Sequence, residues 1–428
     1  MPKIISNKSN VDLDYPVIRP SLDLDFTQEE LDPRITFSRG TSGTRVNRNR
    51  LIETVAANQP RFDYDPVTGE CKGLLIEEGR QNIALQSENI NTSPWSTSTL
   101  TFDTNSIVAP DGNTTADKLI ENPSFSSFKT TAQSVGTISG TYTVSGFFKA
   151  GERFRGYLQL FGTGGNASVP FNLRTGTISG GAGTNTITPY GNGWYRVSST
   201  VTFTSATAAI YIVVQNDSGT SAYTGDGTSG LYCWGIQVET GAFPTSYIPT
   251  TASTVTRSAE LADMTGNNFS SWYNSSEGTL YASLNNITTR SSITFDRLVA
   301  LVGTDVNRDV ISICTQTASG GGAQNKFLAG VSYSPDGSYV LDTFTGAVSG
   351  GGGPDRIGKA IIAYKKDNFA FTVNGITPLR DIGGDIPICN RLLIFGSARF
   401  QPAPSGYISR LTYYPRALKP SQLQYLTQ

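Results

Sequence analysis

Apolar and polar residues alternate along most of the chain in short runs that suit strands rather than helices. In the opening segment, Val11-Asp12-Leu13-Asp14-Tyr15 and Ser21-Leu22-Asp23-Leu24-Asp25-Phe26 set apolar side chains on one face of an extended backbone and acids on the other. Prolines 16, 20 and 33 oppose helix there. Only Thr27-Gln28-Glu29-Glu30, with capping-box spacing, predicts a short helical turn. A two-faced strip of this kind builds no core of its own. Residues 1–34 are therefore expected to be an extended anchoring arm lying along a partner surface, with packing onto the same chain as the alternative.

Residues 35–90 read as a small β module for attachment. The turn Asp65-Pro66-Val67-Thr68-Gly69-Glu70 separates short strands, and Leu74-Leu75-Ile76-Glu77-Glu78 is a buried strand ending in charge. Residues 91–258 carry β-rich runs at 142–148, 153–161, 194–203, 209–214 and 231–238, with turn clusters at 162–165 and 216–230. This spacing predicts a jelly-roll β-sandwich. Tyr247-Ile248-Pro249-Thr250-Thr251 closes it and reads as the start of a linker. Residues 259–428 hold a half-wet strand at 278–284, a hairpin through 359–364 and 369–375 with a polar turn at 365–368, and a strand at 406–414. A short terminal helix follows, capped at Ser421-Gln422-Leu423-Gln424. The expected fold class is all-β: an extended arm and small β module followed by two β-sandwiches. Collagen triplets, heptads and longer repeats are lacking, which argues against a fibre shaft.

Composition narrows the chemistry. Glycine numbers 45, aromatic residues make up 10% and charged residues 16%, as suits strands joined by turns. With 33 basic against 34 acidic side chains, the chain shows no electrostatic footprint for nucleic acid or an anionic membrane. No apolar run approaches the roughly 18 residues of a membrane span, and Met1-Pro2-Lys3-Ile4-Ile5-Ser6-Asn7-Lys8 does not read as a signal peptide. The absence of histidine excludes a Ser-His-Asp triad, a Cys-His pair, a His-ligated zinc and a histidine pH switch. Cys71, Cys233, Cys314 and Cys389 lie far apart, without a CxxC. They are expected to be reduced, mostly buried thiols of a protein assembled in a reducing cytoplasm, two disulfides being the alternative. No cofactor or metal is expected. Two carboxylates, Asp217 and Asp226, are thin support for calcium against a plain hairpin. Gly320-Gly321-Gly322 and Gly350-Gly351-Gly352-Gly353-Pro354 lack the Lys and Ser/Thr of a phosphate loop and read as loop tips.

Carboxylate hydrolysis stays open, through Glu77, Glu78, Glu239, Glu260 or Glu277. Adjacent Glu77 and Glu78 point to opposite faces of a strand and cannot flank one bond together. Arginines 34, 39, 45, 48, 50, 61 and 80 concentrate in the early part of the chain. They either grip an acidic partner or, as expected for most, pair with Asp63, Asp65, Glu77 and Glu78. Glycan binding needs exposed rings. Trp194 and Trp234 sit in apolar strands and read as core. Trp95 is expected to pin the first module to the jelly roll. Trp272 and Tyr273, between Ser271 and Asn274 in a polar loop, are the candidate glycan platform.

Ile35-Thr36-Phe37-Ser38-Arg39-Gly40-Thr41-Ser42-Gly43-Thr44 leads through Asn58-Gln59-Pro60-Arg61-Phe62-Asp63-Tyr64-Asp65-Pro66. It ends in Gly73-Leu74-Leu75-Ile76-Glu77-Glu78-Gly79-Arg80-Gln81-Asn82. This resembles a module near the start of tailed-bacteriophage virion proteins of head-spike or head-fibre, tail-fibre and minor structural type. Gly193-Trp194-Tyr195-Arg196-Val197-Ser198, residues 223–239 and Ala242-Phe243-Pro244-Thr245-Ser246-Tyr247-Ile248-Pro249 resemble the jelly rolls that commonly follow it, similar in fold to carbohydrate-binding modules. Residues 360–375 and 406–415 resemble a concanavalin- or laminin-G-like sandwich. The resemblance implies a non-enzymatic virion surface structural protein, a capsid decoration or a head or tail fibre. Residues 1–90 would bind other virion proteins and the sandwiches would face outward. It further implies assembly in the bacterial host cytoplasm, and a homo-oligomer, trimeric if a fibre. The alternatives are a host-glycan receptor-binding adhesin and a polysaccharide depolymerase.

Overall fold

The computed structural model describes residues 15–96, 99–288, 296–304, 309–316, 326–332, 341–345, 358–395 and 404–428. Strands make up 54% of it and helix 4%, so the chain is all-β. No helix among the described residues is long and apolar enough to cross a membrane.

The jelly roll grows from two 22-residue strands, Lys129–Ala150 and Trp194–Gln215, that pair antiparallel along their whole length. Register shifts at Ser134/Gly136 and Ile138/Gly140, with Gly136 and Gly140 both at positive φ, interrupt the ladder midway. On one side of these bulges Trp194–Gln215 pairs with Arg155–Gly162 and on the other with Thr184–Pro189. Beyond them, too, Lys129–Ala150 pairs with Gly230–Thr240. One nine-stranded sheet thereby supplies both layers around Val144, Phe148, Leu158, Ile212 and Ile236. The runs expected at 194–203 and 209–214 are one strand, because Ala206 and Thr207 keep the ladder across the bulge.

The second body is a sandwich of an eight-stranded and a seven-stranded sheet. The first runs in the order Leu379–Asp381, Asn368–Val373, Gly358–Lys365, Glu277–Thr288, Ser405–Tyr414, Cys71–Ile76, Arg61–Tyr64. The other runs Thr36–Ser38, Leu261–Thr265, Arg391–Ile394, Asp296–Val302, Val310–Gln316, Lys326–Ser332, Leu341–Thr345. Their shared core includes Leu74, Ile76, Met264, Leu280, Ile362, Ile394 and Leu411. The expected hairpin is present, its turn made by Lys366 and Asp367, with Asp367 at φ 57°. The terminal helix spans Pro420–Leu426. Gln422 there accepts the Lys419 N–H at 3.0 Å.

Two expectations change here. Residues 35–90 do not form a separate module, because their strands join both sheets of the C-terminal sandwich. Strands of three to six residues cannot enclose a core alone and find one only at these sheet edges. The arm is also partly resolved as body. Leu22–Asp25 pairs with Ser405–Tyr414, burying Leu22, Leu24 and Phe26, while Asp23 holds Arg410. Its alternating stripe needed an apolar sheet, and the same chain supplies one. Asp25 caps the 3-10 turn Phe26–Gln28 through the Thr27 N–H. Residues 1–14 lie outside the described residues.

The jelly roll is consequently an insertion. The chain leaves the sandwich along Arg80–Asn82 and returns along Val255–Arg257, and these two strands pair antiparallel as a neck. One glycine is demanded nearby. Gly73 has φ 96°, beside the register shift between Asp63 and Tyr64, and a Cβ there would lie 2.3 Å from the Ile408 carbonyl oxygen. Gly73→Ala is expected to destabilise the sandwich by at least about 2 kcal/mol. A melting curve of the full chain checks this, and an unchanged curve would contradict the packing of Cys71–Ile76 on Ser405–Tyr414.

Candidate functional site: the neck between the two β bodies

The neck encloses a cluster of charge. Arg39, Arg61, Arg257, Glu77 and Glu260 are all buried. Glu260 accepts Arg39 Nη1 at 2.7 Å and Arg61 Nε at 2.7 Å through Oε1, and Arg61 Nη2 at 2.6 Å through Oε2. Its Oε2 also accepts the Glu77 backbone N–H at 2.9 Å. Glu77 in turn accepts Arg61 Nη2 at 2.8 Å and both the N–H and the hydroxyl of Ser246, at 2.8 and 2.7 Å. Arg257 approaches Glu77 at 3.4 Å and donates to the Glu78 carbonyl. Glu78 pairs with Arg80, whose guanidinium lies over the Phe243 ring. Asn82 ties the neck to the jelly roll, donating to the Ile236 and Ile248 carbonyls and accepting the Val238 N–H. The segment expected as a free linker packs back instead. Tyr247 and Ile248 are buried, and the Tyr247 hydroxyl donates to Glu88.

Charge in such a place persists only when paired. Burial pulls the Arg61 guanidinium down, and the charges of Glu260 and Glu77 more than reverse it. Burial pushes the Glu77 carboxyl up, but Arg257, Arg61 and the Ser246 hydrogen bonds outweigh it and bring it from 4.5 to about 2. A lowered carboxyl stabilises the fold above its unfolded value and loses that contribution as pH falls through its folded one. The Glu77 contribution should therefore be whole above pH 4.5 and vanish toward about pH 2. Asp63 acts oppositely, since burial raises it and its ionisation costs stability as pH rises. Acid melts of the wild type should fall steeply between those limits. Glu77→Gln should start lower and lose that part of the slope; an identical slope would contradict the pairing.

The sequence-derived arginine pairing holds for Arg61–Glu77 and Arg80–Glu78, but most partners differ. Arg39 and Arg61 reach Glu260, Arg45 reaches Glu53, Arg48 reaches Glu29 and Arg34 reaches Asp32. Of the glutamates considered for hydrolysis, Glu77, Glu78, Glu239 and Glu260 are buried with oxygens already engaged. Glu239 accepts Thr245 N–H and hydroxyl at 2.8 and 2.7 Å. Glu277 meets Arg416 and the Ala417 N–H, each at 3.3 Å.

Trp272 and Tyr273 do not form a glycan platform, which corrects the sequence reading. Trp272 is 4% exposed, donates through Nε1 to the Asn268 carbonyl at 2.8 Å, and meets Phe269 and Tyr413 edge-on. Tyr273 is half-buried against Phe269, ring centroids 4.6 Å apart, at the edge of an open depression. The short helix Asn267–Ser270 turns Phe269 inward beneath them, so the polar flanks mark a turn rather than a wet surface. Trp194 and Trp234 are core, as expected. Trp95 donates to the Leu85 and Gln86 carbonyls, pinning that segment to the jelly roll. Asn216–Thr220 is a turn, Asp217 meets Arg153 at 3.4 Å, and Asp226 accepts from Thr228 and Ser229. The Asn122 and Phe125 carbonyls hold the buried ammonium of Lys129. Among the described residues no cluster of acids and cysteines is placed to hold a metal ion. The cysteines carry thiols rather than disulfides, with Cys233, Cys314 and Cys389 buried. Gly320-Gly321-Gly322 and Gly350-Gly351-Gly352-Gly353-Pro354, expected as loop tips, lie outside the described residues.

Against the cluster lies a cleft of about 270 Å³ lined from all three parts of the chain. Asp63 lies in its wall, accepting the Val46 N–H at 2.6 Å and the Tyr407 hydroxyl at 2.7 Å.

Fold and neck together define an all-β protein in which a jelly roll is inserted into a second β-sandwich. No protein-family model and no characterised protein matches the sequence. Among solved structures, the chain is similar over 38% of its length to the NanB sialidase from Streptococcus pneumoniae, with TM-score 0.30 and 11% identity, and spans 26% of that protein. It is similar to the CBM40 domain of the Ruminococcus gnavus IT-sialidase, solved with α2,3 sialyllactose, at TM-score 0.29 and 14% identity over 36% of this chain and 83% of that one. Domain 4 of AbnA, an extracellular arabinanase from Geobacillus stearothermophilus, gives TM-score 0.29 and 13% identity over 44% and 82%. Likeness at this level carries no statement about ligand or activity.

Proposed function

We propose that the chain is a non-enzymatic structural protein on the exterior of a tailed-phage particle, as a decoration or part of a fibre. One observation supports this reading above others. The residues that carry the resemblance to virion proteins, Arg39, Arg61, Glu77, Glu78 and Arg80, are those whose side chains build the neck. The recurring motif then serves as a joint that sets the jelly roll firmly on the sandwich. Because Leu22–Asp25 is committed to a sheet, gripping the particle falls to the residues before it, where Val17 is 95% exposed and Tyr15 and Ile18 are also exposed. A host-glycan adhesin is the rival, weakened by the burial of Trp272.

Antibodies against the full chain should label intact particles by immunogold electron microscopy. Labelling only after particles are disrupted would overturn the exterior assignment. Incubated with host polysaccharide, the purified chain should release no reducing ends; release would replace the structural reading with a depolymerase.

A further inference from the structure

We propose that the cleft beside the neck is a binding site for a small carboxylate-bearing sugar, one acidic monosaccharide unit whose carboxylate pairs with Arg196. The proposal goes beyond a structural role and stands whichever particle or surface carries the chain. Its first support is charge left over. Arg196 lines the cleft, donates through Nη2 to Ser145 Oγ at 3.0 Å, and lies over the Phe147 ring at 5.3 Å. Its Nε is buried without a hydrogen-bond partner, and among the described residues no carboxylate lies within ion-pair distance of it. A half-buried guanidinium with no carboxylate beside it, and its Nε shut off from water, favours an incoming anion at its open side.

The other charges of the cleft are already matched. Lys72 faces Asp65 at 3.6 Å, Arg45 meets Glu53 at 2.7 Å, and Glu77 is held by Arg61 and Arg257. Asp63 is occupied by two donors, and burial favours its neutral form, which reduces repulsion of an anion. The second support is size and lining. About 270 Å³ suits a single sugar ring. Thr188 and Tyr190 of the jelly roll and Pro66 of the sandwich are among its lining residues, with hydroxyls for a sugar's hydroxyls and a ring and a proline for its C–H groups. The site exists only because the neck holds the two bodies together, so neither body alone contains it.

Isothermal titration calorimetry of the full chain tests this with glucuronate, galacturonate and N-acetylneuraminate against glucose and sulfate. At least one sugar acid should bind, with glucose and sulfate silent. In Arg196→Gln the affinity should fall at least about tenfold, as expected for a lost charge-assisted pair. In Tyr190→Phe, a milder change at the same wall, binding should weaken less with the fold intact. No heat from any sugar acid, binding unchanged in Arg196→Gln, or sulfate binding as well as the sugars would each overturn the assignment. Should Arg196→Gln fail to fold, loss of affinity in Tyr190→Phe decides, and its absence counts against the site.

Discussion

Glu260→Gln is expected to destabilise the protein by about 3–5 kcal/mol, more than any other single exchange in the neck. Glu260 is wholly buried and its carboxylate answers Arg39 and Arg61 at once while accepting the Glu77 N–H. The amide keeps the shape and removes the charge, leaving three buried guanidiniums against the single carboxylate of Glu77. Burial already pulls the Arg257 guanidinium down, and its Nε and Nη1 have no hydrogen-bond partner, so the cluster has no spare acceptor to offer. Because Glu260 lies beside the return strand while Arg39 and Arg61 come from the first part of the chain, the loss should appear in the sandwich before the jelly roll. Urea unfolding followed by hydrogen exchange would show protection falling first in Arg61–Tyr64 and Cys71–Ile76. Equal stability of variant and wild type would mean that the cluster is not the fastening it is argued to be.

Removing residues 1–31 should leave a chain whose C-terminal sandwich does not fold. Leu22, Leu24 and Phe26 are each buried, and truncating one such side chain costs about 2–5 kcal/mol. Losing all three, with the pairing of Leu22–Asp25 on Ser405–Tyr414, approaches the whole stability of a typical domain, roughly 5–15 kcal/mol. Val17→Ser together with Ile18→Ser, at exposed positions just before this strand, should leave the melting curve unchanged and lower the copy number on particles. The contrast separates the two roles folded into one segment. A soluble, cooperatively melting chain after the deletion would contradict the placement of this strand. Wild-type copy number after the double exchange would contradict anchoring.

Much of the strand content was legible because strands write themselves locally. The short apolar run in Gly230–Thr240, the alternation in Glu277–Thr288 and the polar turn at Lys366 and Asp367 need no distant partner to be recognised. The insertion was not legible, because Arg80–Asn82 meets Val255–Arg257 across the whole jelly roll and no local pattern announces such a pairing. The same distance hid Glu260. Seen along the chain, Arg39 and Arg61 have nearer acids, and their actual partner lies 221 and 199 positions away. Trp272 misled for a different reason. Serine and asparagine beside a tryptophan look like a wet loop, but here Ser271 ends a short helix, Asn274 donates to the Pro415 carbonyl, and the ring between them folds onto Tyr413. The stripe of Leu22 and Leu24 announces the need for an apolar surface, but that surface is this chain's own sheet and not the partner's expected for an anchoring arm, because only the assembled sheet shows the free edge of Ser405–Tyr414.

Cryo-electron microscopy of particles with and without this chain tests the central claim most directly. The account predicts difference density outside the shell or tail, resolved as two β bodies at one fixed mutual angle, with the chain's leading residues at the contact. Particles that show no difference on their exterior, or two bodies smeared over many angles, would contradict it.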